Sequence, residues 1–420
     1  MVGALPEVAL IAPADSARAA ATVYTVSLLA TVPIVGAVIA AVFLRRAGGA
    51  TRALVWRSTL FALALLYIGR HLPLRWSAVV VPSVLAQPLV ELGRIQIMGA
   101  HVAAGGTVAG NAGASGSARL VREMMLGYWF VVAGLLLPAI AAFVARRRDL
   151  RRSTPLDGRS WAAPLTEARL ALGIRRQVRL YRSATVRVPV TWGVLRPVIV
   201  LPTWAASWNA DERRMVLTHE LAHVAAFDWL FGMLGRIVCA LYWFHPGAWW
   251  VASRLREDRE LACDDRVLAR GSRRSDYAEL LVRASTRLST TSHFAGALPL
   301  SHRRGLRARL AAVLDPDRAI QTSPGAWRTA YAWGTALALT MPAAFVQLAP
   351  SRDLLTSLVH DTSWESRAYA VQGLAERPDS VAVAQTVAEL DPSPRVRAWA
   401  KYALGQAAAH ELRRPLEVVR

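Results

Sequence analysis

The sequence predicts a mainly α-helical membrane protein, in which four transmembrane helices carry an inserted α+β domain and a short C-terminal region of helical repeats. Hydrophobic residues make up 54% of the 420 residues and charged residues only 19%, whereas a soluble domain carries about a quarter charged residues. The mean hydropathy is +0.29. These values exclude a disordered chain and a single water-soluble domain.

Four stretches are apolar over a length that crosses a bilayer, which takes about 20 residues. They are residues 22–44, 53–69, 124–145 and 329–350. The second stretch has Arg57 in its first turn, and we expect this side chain to snorkel to the membrane surface. No basic region precedes the first stretch, so we expect it to be an uncleaved anchor.

The arginines decide the sidedness of these spans. Lysine and arginine number 50 against 29 acidic residues, for a formal charge of +21, and Lys401 is the only lysine. Because the arginines gather beside apolar runs, they indicate membrane topology, and we expect no direct nucleic-acid binding. The positive-inside rule places the N-terminus, the loop 71–123 and the C-terminal region 351–420 outside, and residues 146–328 in the cytoplasm. The chain is then a multi-pass protein of the inner (cytoplasmic) membrane, with residues 1–145 as its membrane region.

Two histidines and a glutamate form a compact metal-binding pattern. His219 and His223 are four positions apart, so both imidazoles lie on one helix face and reach one ion. Glu220 lies between them, placed to take a proton from the attacking water rather than to ligate. Asn209 and Glu212 predict the start of this helix through a capping box. The pattern predicts a catalytic zinc site with three protein ligands and one open position. The weaker alternative is two histidines packed on a buried helix face.

A third ligand is expected on a later helix, predicted over Trp249–Ala269. Glu257, Glu260 and Asp264 share one face of this helix. One of them can ligate while another accepts a hydrogen bond from a ligand histidine and fixes its tautomer. The spacing leaves both Glu257 and Glu260 open as the ligand. A solvated face with Glu–Arg pairs is the alternative, favoured for Glu257 and Asp258.

The apolar, aromatic stretch Trp229–Ala252 between these helices is long enough for another span. However, ligands at about 2 Å from one ion cannot lie on opposite sides of a bilayer that is about 30 Å thick. We therefore expect the stretch to turn back at His245 to Gly247. Its Trp and Tyr side chains suit the inner membrane surface.

Several motifs together carry a resemblance to a known family. They are His219-Glu220-Leu221-Ala222-His223, Asp228-Trp229, Trp243-Phe244-His245-Pro246, Trp249-Trp250, and Glu260-Leu261-Ala262-Cys263-Asp264-Asp265. With the strand region from Pro189 to Pro202, they resemble the membrane metallopeptidases of the BlaR/MecR type, the beta-lactam-sensing signal transducers. The similarity runs from Arg45 to Pro350.

The resemblance implies a zincin-like metallopeptidase domain over residues 146–328. It makes Glu260 the third zinc ligand beside His219 and His223, and it places Asp264 and Asp228 in contact with the ligand histidines. Zinc is the implied cofactor. Cys263 is expected to be a small packed residue rather than a nucleophile.

The implied reaction is peptide hydrolysis, with Glu220 as the general base. The stretch Thr185–Val200 offers an edge strand for an extended peptide, and Arg259 and His245 are the candidates for stabilising the oxyanion. By resemblance, the substrate is a cytoplasmic protein such as a winged-helix repressor. An autocleavage site is implied between Ser285 and Ser323.

The C-terminal tail departs from the family. The antibiotic sensors carry a penicillin-binding domain with a Ser-x-x-Lys motif, but the residue three before Lys401 is Ala398. Instead, Asp361 to Ala368 aligns with Asp391 to Ala398 at a period of 30, which resembles HEAT-type repeats that stack into a protein-binding surface. Two copies are fewer than the three or so that independent stability needs. We therefore expect the tail to depend on the membrane domain, a protein partner or a homodimer. A short helical tail without a ligand is the alternative.

Two functions from different classes fit these observations. The first is a zinc-dependent membrane endopeptidase that converts an outside event into cleavage of an inner-side protein; a housekeeping protease for damaged membrane proteins is its nearest competitor. The second is a non-catalytic membrane scaffold with a structural metal and a tail that recruits a partner. Glu220 favours the first, because a structural metal site needs no base there.

Overall fold

A computed structural model describes residues 13–69, 77–80, 86–92, 94, 112–289, 300–349, 352–377 and 380–417, and it is mainly helical. The helices before the metal-binding pattern are α1 (Pro13–Phe43), α2 (Gly49–Gly69), α3 (Ala112–Arg152) and α4 (Arg159–Ala171), with a further short helical stretch at 86–92. Those from that pattern onward are α5 (Ala210–Ala225), α6 (Asp228–Leu241), α7 (Pro246–Leu268), α8 (Arg274–Ser289), α9 (Leu300–Leu314) and α10 (Ala326–Phe345). The tail contains α11 (Arg352–Leu358), α12 (Trp364–Ala375), α13 (Val381–Leu390) and α14 (Pro394–Glu417). The strands are β1 (Ser77–Val80), β2 (Thr154–Pro155), β3 (Arg179–Ser183), β4 (Val190–Trp192), β5 (Val198–Pro202) and β6 (Val346–Ala349), with a 3-10 helix at Thr203–Ser207.

Three described helices are long and apolar enough to cross a membrane. They contain the segments Ala20–Phe43, Gly49–Gly69 and Arg119–Arg152, which agree with the first three predicted spans. Helix α10 is not among them; it ends at Phe345, and the next four residues form β6. The fourth span therefore stays a prediction, and its last residues are strand rather than helix. Helices α5 and α6 pass the same test as a pair, but the chain bends by 55° between them.

The chain divides into two compact units. One contains Met1–Leu29, Ile68–Phe130 and Pro342–Arg420, and the other contains Ala30–Tyr67 and Val131–Met341. The second unit thus combines most of the predicted cytoplasmic domain with parts of the apolar helices. The predicted domain bounds at residues 145, 328 and 350 stay predictions.

A small mixed sheet supports the second unit. Its strand order is β2-β3-β5-β4, with β3 parallel to β5 and β4 antiparallel to β5. All five residues of β5 are buried, as a continuous apolar run in a central strand should be. In the described part of the chain β4 lies at the edge of this sheet, with Thr191 opposite Ile199. The sheet confirms the predicted strand region and the small β component of the fold.

Helix α5 starts where its capping residues predict. The Asn209 side chain accepts a hydrogen bond from the Glu212 backbone N–H at 2.9 Å, and the Glu212 carboxylate accepts one from the Asn209 N–H at 2.9 Å. This reciprocal pair satisfies two of the N–H groups that a helix start leaves unpaired. Leu217 and Leu221 are fully buried in the core beneath the sheet, so their face of α5 is fixed and the opposite face is open for chemistry.

A left-handed residue lies in the turn between α5 and α6. Phe227 has a φ of 55° and a ψ of 33°, a conformation that costs a non-glycine residue about 1–2 kcal/mol. This residue starts α6 directly, with Asp228 as its first position. The chain then turns between Leu241 and Pro246, so His245 lies in the turn as predicted, whereas Pro246 and Gly247 begin α7.

The first unit contains the helical tail and a two-stranded parallel sheet. Strand β1 pairs with β6 in parallel, with Ser77 opposite Val346. The strand β1 lies in the predicted outer loop 71–123, much of which is outside the described residues. Helices α11 to α14 pack around their own apolar core, which includes Leu355, Leu374 and Ala400.

Candidate metal centre

Helix α5 brings its two histidines together as the spacing predicts. The Nε2 atoms of His219 and His223 lie 3.3 Å apart, and their rings are nearly perpendicular, with centroids 4.9 Å apart. Both side chains are largely buried, with 12% and 15% exposure. One face of the helix thus presents two imidazole nitrogens to a single point.

Glu260 of α7 completes a group of three donors. Its Oε2 lies 3.7 Å from His219 Nε2, and its Oε1 lies 3.8 Å from His223 Nε2. Ligands about 2.0–2.1 Å from a tetrahedral zinc are about 3.3 Å from one another. The donor set and its spacing therefore fit a zinc ion with two nitrogen ligands and one carboxylate.

Acidic side chains hold the far nitrogen of each histidine. His223 Nδ1 lies 2.6 Å from Asp228 Oδ2. His219 Nδ1 lies 2.9 Å from the Tyr277 hydroxyl and 3.3 Å from Asp264 Oδ1. A ring N–H that donates to such a partner fixes the tautomer and leaves the Nε2 lone pair free for a metal. Asp228 and Asp264, the two acids expected beside the histidines, thus contact them in the structure.

Glu220 lies next to these donors without joining them. Its side chain is mostly buried, and its Oε2 accepts a hydrogen bond from the Thr191 hydroxyl at 2.6 Å. Thr191 belongs to the edge strand β4. The carboxylate is therefore oriented by the sheet and kept out of the group formed by His219, His223 and Glu260.

All four of these residues line one large cleft. Its volume is about 1630 Å³, and its walls include the edge strand β4 and side chains of α1, α2 and α3. The cleft lining also includes apolar side chains such as Phe143, Trp192 and Leu281. A group of metal donors at the base of an open cleft fits a catalytic site better than a closed structural site.

A family model described as BlaR1 peptidase M56 matches residues 21–313 of the chain. The chain belongs to the M56 peptidase family. The match covers the cleft, the donor group and the first three apolar helices. M56 peptidases are metallopeptidases, typically with zinc, and the resemblance drawn from the sequence motifs is confirmed.

Two curated relatives are similar to parts of this M56 peptidase. It is 24% identical to the regulatory protein BlaR1 of Bacillus licheniformis over 203 residues, which are 47% of this chain and 34% of that protein. It is 28% identical to the methicillin resistance mecR1 protein of Staphylococcus aureus over 95 residues, which are 22% of this chain and 16% of that protein. The matched segments thus span about a third or less of these relatives.

Two residues of the site were not foreseen from the sequence. Arg309 of α9 donates to both oxygens of Asp264 at 2.7 and 2.8 Å, and its guanidinium also lies 3.2 Å from Glu260 Oε2. Tyr277 of α8 donates to Asp264 Oδ1 at 2.7 Å. Both come from helices after the recognisable motifs, and a lone arginine or tyrosine in an amphipathic helix gives no local signal of such a contact.

Charge holds the acids of the site ionised. Burial raises the pKa of Glu260, but His223, His219 and Arg309 outweigh it and hold that pKa well below its usual range. Burial likewise raises the pKa of Asp264, but Arg309 outweighs it and keeps that pKa low. Burial lowers the pKa of His219, whereas hydrogen bonds to Asp264 and Glu260 raise it to about 9. A metal ligand must be a neutral imidazole, so an incoming cation displaces this proton.

The structure also separates the two other acids predicted on this helix. Glu257 is exposed and pairs with Arg254 at 3.0 Å, outside the donor group. Asp258 was expected on a solvated face, and this expectation is wrong. It is 7% exposed and accepts hydrogen bonds from Arg52 at 2.9 Å and Trp56 at 2.7 Å. Local sequence cannot show that a helix from the membrane region covers this position.

His245, Arg259 and Cys263, the remaining residues considered from the sequence, differ in whether they reach the cleft. His245 caps α7 through its Nδ1, which accepts from the Gly247 N–H at 3.2 Å, and it does not line the cleft. Arg259 does line the cleft, with its Nε 3.5 Å from Glu260. Cys263 is 1% exposed and lies 3.3 Å from His223 Nδ1, as a packed residue would.

A second possible donor group shares one histidine with the first. His223, Asp228 and Cys263 also have their donor atoms close together. However, an ion pair with Arg57 occupies Asp228, and Cys263 is buried. Because Cys263 does not line the cleft, the group with Glu260 is the better candidate for catalysis.

Proposed function

We propose that this M56 peptidase is an integral-membrane zinc metalloendopeptidase that converts an event outside the cell into cleavage of a cytoplasmic regulatory protein. The observation that carries the proposal is the convergence of His219, His223 and Glu260 at the base of an open cleft, with Glu220 beside them. A scaffold with a structural metal needs neither the open cleft nor the base.

In the proposed mechanism, His219, His223 and Glu260 hold the ion. When bound, zinc supplies Lewis-acid chemistry, polarising the scissile carbonyl and acidifying the attacking water. Glu220 accepts the proton of that water at its carboxylate and delivers it to the leaving amine. The Thr191 hydroxyl, which donates to Glu220 Oε2, keeps the carboxylate aimed at the cleft during both transfers.

The substrate backbone binds along the edge strand. Strand β4 has a free edge within the described sheet and contributes side chains to the cleft wall. An extended peptide that adds to this edge satisfies its unpaired N–H and C=O groups, and the cleft selects its side chains. Because Thr191 belongs to β4, substrate addition to this edge also places the scissile bond near Glu220.

The membrane arrangement follows the charge pattern. We propose four spans, with α10 as the fourth, and a peptidase domain over 146–328 on the cytoplasmic side. The arginine clusters beside the first three spans support this sidedness. The peptidase then acts on the inner side, and the residues after 350 are outside.

The proposed substrate and regulation are based on the relation to the BlaR/MecR-type proteins. Proteins of the BlaR/MecR type act on cytoplasmic repressors, so a winged-helix repressor is the proposed substrate. Self-cleavage is proposed between Ser285 and Ser323, a segment whose residues 290–299 lie outside the described residues. The tail, proposed to be HEAT-like, receives an external protein partner instead of an antibiotic.

Incubation of the purified full chain in detergent with candidate repressors tests the proposal. We expect cleavage by the zinc-loaded protein and at least about a hundredfold loss after Glu220→Gln, the scale at which a general base contributes. Bound zinc should remain at one equivalent in Glu220→Gln. Unchanged cleavage in this variant would exclude the cleft as the site of hydrolysis, and a metal that resists chelation would favour the scaffold.

A further inference from the structure

Arg57 is a charged residue inside an apolar helix, and it does not snorkel to the surface. Its guanidinium Nη2 lies 2.5 Å from Asp228 Oδ1, and its side chain is 15% exposed. The guanidinium also lies over the Phe231 ring, 5.4 Å from the centroid. Helix α2 therefore directs a cation into the interior of the second compact unit (Ala30–Tyr67 and Val131–Met341), which we call the peptidase unit.

The partner of Arg57 is the acid that holds a proposed zinc ligand. Asp228 Oδ2 lies 2.6 Å from His223 Nδ1, and the Asp228 side chain is only 4% exposed. Each carboxylate oxygen thus has one strong partner, a guanidinium on one side and an imidazole on the other. Charge-assisted hydrogen bonds of this kind are short and directional, so the carboxylate has one favoured orientation.

The backbone places Arg57, Asp228 and His223 next to one another. The left-handed Phe227 starts α6 at Asp228, only five residues after His223. A Cβ atom added to Gly235 of α6 would lie 3.4 Å from the Leu60 side chain of α2. Helices α2 and α6 therefore approach each other closely at this point. The chain of contacts therefore joins a packed pair of helices rather than two mobile surfaces.

We propose that Arg57 is a positioning residue, which acts through Asp228 to orient His223 and so couples the position of α2 to the zinc affinity of the site. Without Arg57, one oxygen of a buried carboxylate loses its partner. The carboxylate then rotates or repacks, and the imidazole loses its fixed orientation. A displacement of α2 has the same effect without any mutation, which gives an apolar helix direct control over the metal centre.

This inference rests on the metal site of the proposed function, and the chain offers a matched control. Arg52 lies on the same helix and also pairs with an acid of the peptidase unit, Asp258, at 2.7 Å. That acid keeps a second donor, the Trp56 indole at 2.7 Å, and it contacts neither histidine. Arg52→Gln thus removes an equivalent ion pair without touching a ligand.

The test is zinc affinity of the full chain in detergent, measured by competition with a chromophoric chelator. We expect Arg57→Gln to weaken zinc binding about tenfold, the lower end for groups that orient a ligand. Arg57→Lys should recover most of that loss, because it restores the cation. Arg52→Gln should leave the affinity unchanged. The absorption spectrum of the cobalt-loaded protein should change in Arg57→Gln and not in Arg52→Gln, since it reports ligand geometry rather than folding.

The outcomes separate this inference from the proposed function. His219→Ala must abolish tight zinc binding; if it does not, the metal site itself is misassigned. If His219→Ala abolishes binding while Arg57→Gln binds zinc as tightly as the wild type, only the role of Arg57 is overturned. An equal loss in Arg52→Gln and Arg57→Gln would also overturn it, because the effect would then reflect general stability.

Discussion

Glu257 and Glu260 lie one helical turn apart on α7 and illustrate how surroundings decide the role of a residue. Glu260 faces the two histidines and has 25% exposure, whereas Glu257 is exposed and pairs with Arg254. We expect Glu260→Gln to weaken zinc binding by more than about a hundredfold, since loss of a direct ligand exceeds the loss of an orienting group. Glu257→Gln should bind zinc as the wild type does, because a surface ion pair contributes about 0–1 kcal/mol.

The measurement is the same competition titration on both variants, with circular dichroism as a control for folding. Equal affinities in the two variants would show that another acid completes the donor group. The pair is informative because spacing alone leaves both residues open as the ligand.

At the level of residues, local spacing predicts those parts of the site that lie within one helix. His219, Glu220 and His223 follow from the helical period. Arg309 lies 45 positions from Asp264, and Tyr277 lies 58 positions from His219 and 13 from Asp264. These contacts join different helices, so no periodic pattern within one helix encodes them. The prediction of a solvated Asp258 was wrong for the same reason, because its partners Arg52 and Trp56 belong to the membrane region.

At the level of elements, the tail repeats its hydrogen bonds as well as its sequence. Arg367 donates to the carbonyl oxygens of Asp361 and Thr362, and Arg397 donates to those of Asp391 and Pro392. This identity supports the period of 30 read from the sequence. One difference between the copies is that Arg367 also forms an ion pair with Asp391.

This difference predicts unequal effects of the same substitution. Arg367→Gln leaves the buried Asp391 without its cation, which costs about 3 kcal/mol. Arg397→Gln removes only hydrogen bonds to carbonyl oxygens, which contribute about 1 kcal/mol. Hydrogen exchange of the full chain should therefore show faster exchange of α12 and α14 in Arg367→Gln than in Arg397→Gln. Equal protection in both variants would mean that the ion pair does not join the two copies.

Elements with a strong local signal were predicted well, and those set by pairing were not. The capping box at Asn209 fixes the start of α5 from the sequence alone. The end of α10 does not follow from composition, because Val346–Ala349 is as apolar as the helix before it and becomes strand by pairing with β1. An apolar run predicts that a segment is buried. The element that pairs with the segment then determines whether it forms a helix or a strand.

At the level of the whole molecule, the charge pattern predicts sidedness but not the compact units. The arginine clusters mark the ends of the apolar helices, whereas the division into units depends on contacts such as Arg57 with Asp228. Part of the membrane region consequently belongs to the peptidase unit. A boundary drawn only from hydropathy separates residues that are in direct contact, such as Arg57 and Asp228.

The number of spans is the remaining question at this scale, and cysteine labelling of intact cells can answer it. The native Cys239 and Cys263 are both buried, so they give a low background with a membrane-impermeant maleimide. Ser160 on α4 and Ser357 on α11 are exposed positions on either side of α10 in the sequence. If α10 crosses the membrane, Ser357→Cys is labelled in intact cells, and Ser160→Cys is labelled only after permeabilisation. Labelling of both only after permeabilisation would leave three spans and a cytoplasmic tail, and the tail would then have to receive its partner on the same side as the peptidase cleft.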